Sequence, residues 1–274
     1  MSYDVIGLIG KGHFGKVYKV KKDNKIIALK VVETKSQEIL NKAIKEVELL
    51  KEISTPSCVR SLICFTGFFI DNLDIYIESD FIEGKTLLDF AKEKRNSLNF
   101  PKYMIAVIKD LIPGLVYLHS KGIIHRDIKP DNIIIETETM QPKLVDFGLA
   151  CFTKRNLKCE NRSNECCPGT AGTPYFMAPE TLLKGIAYPE SDTWSLGASV
   201  YSSITGKMVY DSKKLKELKR KVMTETPIIE TGDTILDNIL SMMLEKDVRR
   251  RISESDIIPE IETMQERMKA IMSE

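Results

Sequence analysis

The chain of 274 residues carries 40 basic against 39 acidic side chains, a formal charge of +1, with 43% hydrophobic residues. That balance excludes a global electrostatic case for nucleic acid or a membrane surface, and the length suffices for a sizeable core in one large domain or two lobes. Apolar stretches such as residues 63–70 fall far short of the roughly 18 residues a membrane span needs, and Met1-Ser2-Tyr3-Asp4 lacks the basic start of a leader, so a soluble intracellular protein, cytoplasmic or nuclear and monomeric by default, is expected.

Residues 3–32 alternate short apolar runs with glycine and charge, which predicts antiparallel strands joined by polar turns. In the first turn Gly10, Gly12 and Gly15 let backbone amides approach a phosphate chain. Dinucleotide-binding loops share this spacing, but there the third glycine opens a helix, whereas Gly15 precedes another strand-like run through Val17 and Val20. Lys30 lies inside an apolar strand, where its ammonium needs an anionic partner. Residues 36–53 read as a helix with an apolar stripe through Ile39, Ala43, Val47 and Leu50, and it offers Glu46, with Glu48 as competitor and a solvated carboxylate as the bland alternative.

Residues 59–69 and 73–82 read as two further strands around the turn Asp71-Asn72. Residues 79–84 read as a hinge, and 86–94 and 101–120 as helices; Pro113 removes one backbone donor from the second and should bend its axis. The stretch His125-Arg126-Asp127-Ile128-Lys129-Pro130-Asp131-Asn132 then gathers groups suited to phosphoryl chemistry. Asp127 would receive or orient a hydroxyl proton, Lys129 would lie where phosphate charge develops, and Asn132 would offer an amide oxygen to a hard cation. Asp146, before Phe147-Gly148, supplies a second hard oxygen, so Asn132 and Asp146 together would hold magnesium on nucleotide phosphates.

The glycine loop, Ala28-Leu29-Lys30, Glu46, the 125–132 block, Asp146-Phe147-Gly148 and Ala178-Pro179-Glu180 together resemble a eukaryotic-type serine/threonine protein kinase catalytic domain, from about residue 3 to about residue 260. The resemblance implies an α+β bilobal fold: a small, mainly antiparallel β N-lobe with one key helix (about 1–78), a hinge (about 79–85) and a larger, mainly helical C-lobe (about 86–274). It implies ATP and Mg²⁺, with Mn²⁺ able to substitute. Lys30 would grip the α and β phosphates while Glu46 holds it, Asp127 would be the catalytic base, and Asn132 and Asp146 the metal ligands. Val17, Ala28 and Ile134 would sandwich adenine and the backbone from Asp80 to Ile82 would bond its edge; Ser79 would be a small gatekeeper opening the rear pocket. Lys129, with Thr173 in Gly172-Thr173-Pro174, resembles the serine/threonine branch, so the partner would be a protein presenting Ser or Thr hydroxyls. By the same resemblance His125 packs on Phe147, Asp192 braces the catalytic loop, and Arg251 pairs with Glu180, Arg249 and Arg250 being alternatives. Arg126 would pair with phosphate on the activation segment, Thr170 being the best-placed acceptor and Ser163 the second.

The six cysteines, Cys58, Cys64, Cys151, Cys159, Cys166 and Cys167, are too few and too uneven for a secreted disulfide framework. Free thiols are expected, with zinc and redox control as alternatives, although no close C-x₂₋₄-C pair is present. Two other classes use the same fold. A non-catalytic scaffold usually lacks groups that stand here at Lys30, Asp127, Asn132 and Asp146, and a small-molecule kinase is disfavoured by Gly172-Thr173-Pro174 and Ala178-Pro179-Glu180.

Overall fold

The computed structural model describes residues 3–12, 15–155 and 165–273; Cys159 and Ser163 lie outside them. Strands β1 (Asp4–Gly12), β2 (Gly15–Lys22), β3 (Lys25–Val32), β4 (Phe65–Asp71) and β5 (Asp74–Asp80) form one sheet in the order β1-β2-β3-β5-β4, antiparallel throughout. The tight β2–β3 turn needs two left-handed residues, which Asp23 (φ 47°) and Asn24 (φ 65°) tolerate better than most. Helix α1 (Gln37–Ile53) starts at Ser36, whose hydroxyl accepts from the Ile39 amide, and buries Ala43, Val47 and Leu50 with Glu46 among them.

The apolar run beginning at Val59 becomes a strand only at Phe65. Its backbone is claimed elsewhere: Ile63 donates to the Leu144 carbonyl (3.0 Å) and Leu144 to the Ser61 carbonyl (2.8 Å). Residues 61–63 therefore join the two halves of the molecule instead of extending the sheet.

Beyond the sheet come β6 (Gly84–Thr86), α2 (Leu87–Lys94), α3 (Phe100–Ser120), β7 (Ile123–Ile124), β8 (Ile133–Glu136), β9 (Pro142–Leu144), β10 (Cys151–Phe152), β11 (Lys154–Arg155) and β12 (Glu165–Pro168). They are followed by α4 (Pro179–Lys184), β13 (Ile186–Ala187), α5 (Pro189–Thr205), α6 (Leu215–Thr224), α7 (Thr234–Met243) and α8 (Glu254–Ser273). Helix α3 runs on through Pro113. Helix α5 is buried on nearly every side, so its polar side chains depend on partners inside: Ser195 bonds the Phe176 carbonyl (2.8 Å) and Ser199 the Ile128 carbonyl (3.3 Å), while Thr193 Oγ1 is buried without one among the described residues. No helix among the described residues is long and apolar enough to cross a membrane.

The cysteines correct the expectation of free thiols. Cys58 is bonded to Cys64 and Cys151 to Cys167, with Cα atoms 5.4 and 6.5 Å apart; Cys166 is also bonded, and no described cysteine is free. The fold turns the chain back between β10 and β12, so residues 16 apart in sequence come within bridging range. A bonded sulfur offers no thiolate, which removes zinc as their role as well.

Of the three consecutive arginines, Arg251 reaches Glu180, through Nη1–Oε1 (2.7 Å) and Nη2–Oε2 (3.0 Å), and both partners are buried. Its Nε and Nη1 also meet the Glu245 and Glu190 carbonyls and its guanidinium lies 5.2 Å from the Trp194 ring centroid, while Arg249 and Arg250 serve the nearby Asp247 and Glu245. Arg251→Met should cost about 3–5 kcal/mol in urea unfolding because it strands a buried carboxylate. Arg250→Met, at the exposed end, should stay within about 0.5 kcal/mol.

Candidate active site

Between sheet and helices, β3 presents Lys30 and α1 presents Glu46, joined at 2.6 Å; Asp146 Oδ1 lies 3.2 Å from the same ammonium. Burial alone would lower the Lys30 pKa, but the two carboxylates outweigh it and raise it, so the group stays cationic. Burial likewise favours neutral Asp146, yet Lys30 and the Gly148 amide hold its carboxyl below the ordinary value. Glu48, the competitor for Lys30, is exposed.

The second cluster lies on the loop after β7. Asp127 Oδ1 accepts from the Thr173 hydroxyl (2.8 Å), Oδ2 sits 2.9 Å from Lys129 Nζ, and Lys129 also reaches Thr173 Oγ1 (3.0 Å). Asn132 turns its amide nitrogen onto the Asp127 carbonyl (2.9 Å) and carboxylate (3.1 Å), which leaves the amide oxygen for another partner. Thr173 arrives there because Gly172 (φ 113°) presses against the loop: a Cβ at that position would stand 2.3 Å from the Arg126 carbonyl. His125 packs edge-on against Phe147, with ring centroids 4.8 Å apart.

The loop itself is held from below. Arg126 adopts a left-handed backbone (φ 68°), and the amides of His125 and Arg126 both donate to the buried Asp192 carboxylate, at 2.8 and 2.9 Å. Asp192 is met by His119 Nε2 (3.0 Å), and the other ring nitrogen of His119 contacts Glu254 at the start of α8. A neutral imidazole has one N–H; only the imidazolium can donate to both carboxylates. Burial opposes that charge, but the Asp192 and Glu254 carboxylates prevail and push the His119 pKa up to about 10. Burial would also raise the Asp192 pKa, and His119 outweighs it. Sequence reasoning missed His119 and Glu254, which stand 135 residues apart with no motif joining them.

The residues proposed to surround a nucleotide divide in register. Val17 lies opposite Lys30, Ala28 lies opposite Ser79, and both members of the latter pair are buried; Ile134 is half-buried. Gly10 faces Val17 and Gly12 faces Gly15, whose own Cβ would meet the Val31 carbonyl at 2.3 Å. The Asp80 amide is committed to the Cys64 carbonyl (2.9 Å), where the chain leaves β5 for the hinge.

The structure does not bring Thr170 to Arg126. Arg126 Nε bonds the Leu149 carbonyl (2.7 Å), Thr170 Oγ1 lies beside Gly185, and no hydrogen bond joins the two among the described residues. A sequence reading also missed Lys45. Partial burial, then the positive charges of Arg126 in the catalytic loop and Lys154 in β11, lower the pKa of this otherwise exposed side chain.

A sheet lobe over a helical lobe, with these charged groups between them, defines a bilobal kinase-type fold. The chain belongs to the protein kinase domain family, which residues 3–263 match. It is 30% identical over 263 residues to the serine/threonine-protein kinase Nek5 of Homo sapiens (94% of this chain, 36% of that protein). It is 34% identical over 250 residues to the MAP3K epsilon protein kinase 1 of Arabidopsis thaliana (89% and 17%), and 28% over 268 to the serine/threonine-protein kinase PLK4 of Danio rerio (94% and 27%). The chain thus spans 17–36% of the length of these three relatives.

Because the folded His119 pKa is raised from 6.5 to about 10, the stability this group confers is complete below about pH 6.5 and is lost as pH rises toward about 10. Urea midpoints of wild type and His119→Gln should therefore converge across that window. A gap that stays constant would sink the imidazolium assignment.

Proposed function

We propose that this domain is a serine/threonine protein kinase that transfers the γ-phosphoryl group of Mg-ATP to Ser or Thr hydroxyls of protein substrates, with its two lobes hinged near residues 79–85. The observation that carries the reading is the Asp127–Thr173–Lys129 triangle, with sides of 2.8, 3.0 and 2.9 Å, beside the Lys30–Glu46–Asp146 cluster. The donor set suits the nucleotide and metal: Lys30 is a fixed cation for phosphate oxygens, and Asp146 and the outward amide oxygen of Asn132 are hard ligands. Mn²⁺ would suit the same oxygens. When bound, Mg-ATP supplies the electrophilic phosphorus and the divalent charge that screens it.

The residues of the chain then have separate duties. Glu46 keeps Lys30 extended toward the phosphates. Asp127 orients the acceptor hydroxyl and takes its proton as the oxygen attacks, while Lys129, within reach of Asp127 and Thr173, balances the charge that gathers on the transferred group. Thr173 fixes the Asp127 carboxylate and shapes the acceptor site. Val17, Ala28 and Ile134 would hold the adenine, with the Asp80 carbonyl and Ile82 amide reading its edge. Ser79, small and buried, would leave the rear of that pocket open.

Control by phosphorylation of the activation segment belongs to the same proposal. Arg126 and Lys154 both lower the Lys45 pKa, and a phosphate near Arg126 would offset that positive field at Lys45 and draw α1, with Glu46, toward the loop. The phosphate would sit on Thr170, after a rearrangement that carries it from Gly185 toward Arg126.

Asp127→Asn should leave ATP affinity within about twofold and reduce phosphate transfer by about 10²–10⁴, the usual worth of a general base. A radiolabelled transfer assay beside a nucleotide titration reads both, and near-wild-type transfer rules the role out. Thr170→Ala and phosphatase treatment should each lower turnover; unchanged rates in both would remove Thr170 from the mechanism.

A further inference from the structure

Between Asp211 and Glu225 stand six basic side chains against three acidic ones, in a chain whose formal charge is only +1. Some of that charge is spoken for: Arg220 pairs with Glu217 and Glu225, and Lys221 bonds the Asp211 carbonyl. Lys213, Lys214 and Lys216 are exposed, and among the described residues no carboxylate pairs with them.

Folding does not account for this placement. Lys214 is the N-cap of α6, without a side-chain cap bond, Lys213 precedes it and Lys216 follows within the first turn. The positive end of the helix dipole disfavours cations there, neighbouring ammonium groups repel, and Ser or Asp would cap better. An opposing anion removes the electrostatic penalties.

Two further observations say what the anion is. Leu215 (53% exposed) and Met223 (59%) share a face with Lys219 at four-residue intervals, while Leu218 and Val222 are buried, so the outer surface of α6 mixes cations with apolar side chains. That mixture fits an acidic polypeptide better than a nucleic acid, for which a stacking aromatic or free arginine would be expected on the patch. The patch also adjoins the acceptor site: the hydroxyl of Tyr175, two residues after Thr173, donates to the Ser212 carbonyl (2.9 Å).

We propose that Lys213, Lys214 and Lys216 form a docking edge for an acidic segment of the protein substrate, a few residues along the chain from its acceptor Ser or Thr. The inference rests on the kinase reading above and names the substrate class of that same site.

The test uses the whole chain and two serine peptides that differ only in carrying a run of Glu or a run of Gln beside the acceptor. Wild type should show a KM about tenfold lower for the Glu peptide, since several weak surface pairs act together, and the advantage should shrink as salt is raised. Combining Lys213→Gln, Lys214→Gln and Lys216→Gln should abolish the preference while leaving kcat on the Gln peptide unchanged. The same number of changes at exposed Lys25, Lys94 and Lys102 should preserve it, which separates a local edge from net charge.

Fluorescence anisotropy with Ser→Ala forms of the peptides, without nucleotide, reads docking apart from turnover. Tighter binding of the Glu peptide by wild type than by the triple variant supports the edge even where no phosphate is transferred, an outcome that would sink the kinase reading alone. Equal affinities for wild type and variant overturn the docking edge and leave the kinase reading standing. Tighter binding of a single-stranded oligonucleotide of equal charge, lost in the same variant, also overturns the proposal and assigns the patch to nucleic acid.

Discussion

The buried carboxylate of Asp192 holds the turn on which the candidate chemistry stands. It receives the amides of His125 and Arg126, and Arg126 keeps a left-handed backbone whose cost is about 1–3 kcal/mol for a residue other than glycine. That conformation lasts because the surroundings over-determine it. The turn presents the Arg126 carbonyl to Gly172 and the Asp127 side chain to Thr173, so relaxation at Arg126 would undo both contacts. Burying Asp192 is itself costly, and His119 offsets the cost with a charge of its own, which Glu254 in turn holds in place. A helix start at residue 254 thereby bears on the carboxylate at residue 127, through ionic and hydrogen-bonded contacts as far as the Arg126 amide and through the backbone of the turn from there.

The same logic separates the buried charges from the exposed ones. Lys30, Glu46, His119, Asp192, Glu180 and Arg251 each sit where an unpaired charge is expensive, and each has an opposite charge within bonding distance. Their partners come from different elements, so these pairs fix how elements lie against one another. The lysines at the start of α6 follow the opposite pattern: Lys213, Lys214 and Lys216 are exposed and have no carboxylate partner among the described residues, so no ion pair of theirs fixes one element against another.

What the sequence displayed was local. Alternation through residues 3–32 and the stripe through Ala43, Val47 and Leu50 follow from the two periods of strand and helix, so the sheet and α1 were legible. Contiguous motifs also localised the charged clusters, since Asp127, Lys129 and Asn132 lie within six residues of one another. Long-range pairing has no such trace. The backbone of residues 61–63 looks like the opening of a strand until Leu144 is brought to it, and Cys151 and Cys167 look like isolated thiols until β10 and β12 are folded together. His119 resembles any helix-terminal histidine, because its role is set by two carboxylates that arrive from α5 and α8.

The anchoring of the activation segment bears on how control by phosphate would reach the acceptor site. Cys151 pairs in register with Ile124, next to His125, and Cys167 pairs with Ala187; the disulfide joins the two strands that carry them. Both flanks of the segment are thus tied to the helical lobe independently of Thr170. Five residues separate Cys167 from Thr173, and Gly172 is already pressed against the Arg126 carbonyl. A phosphate on Thr170 would therefore act between a fixed anchor and the acceptor site. It need not order the whole segment; besides drawing α1 toward the loop, it would bias the short stretch that determines whether Thr173 stays on Asp127.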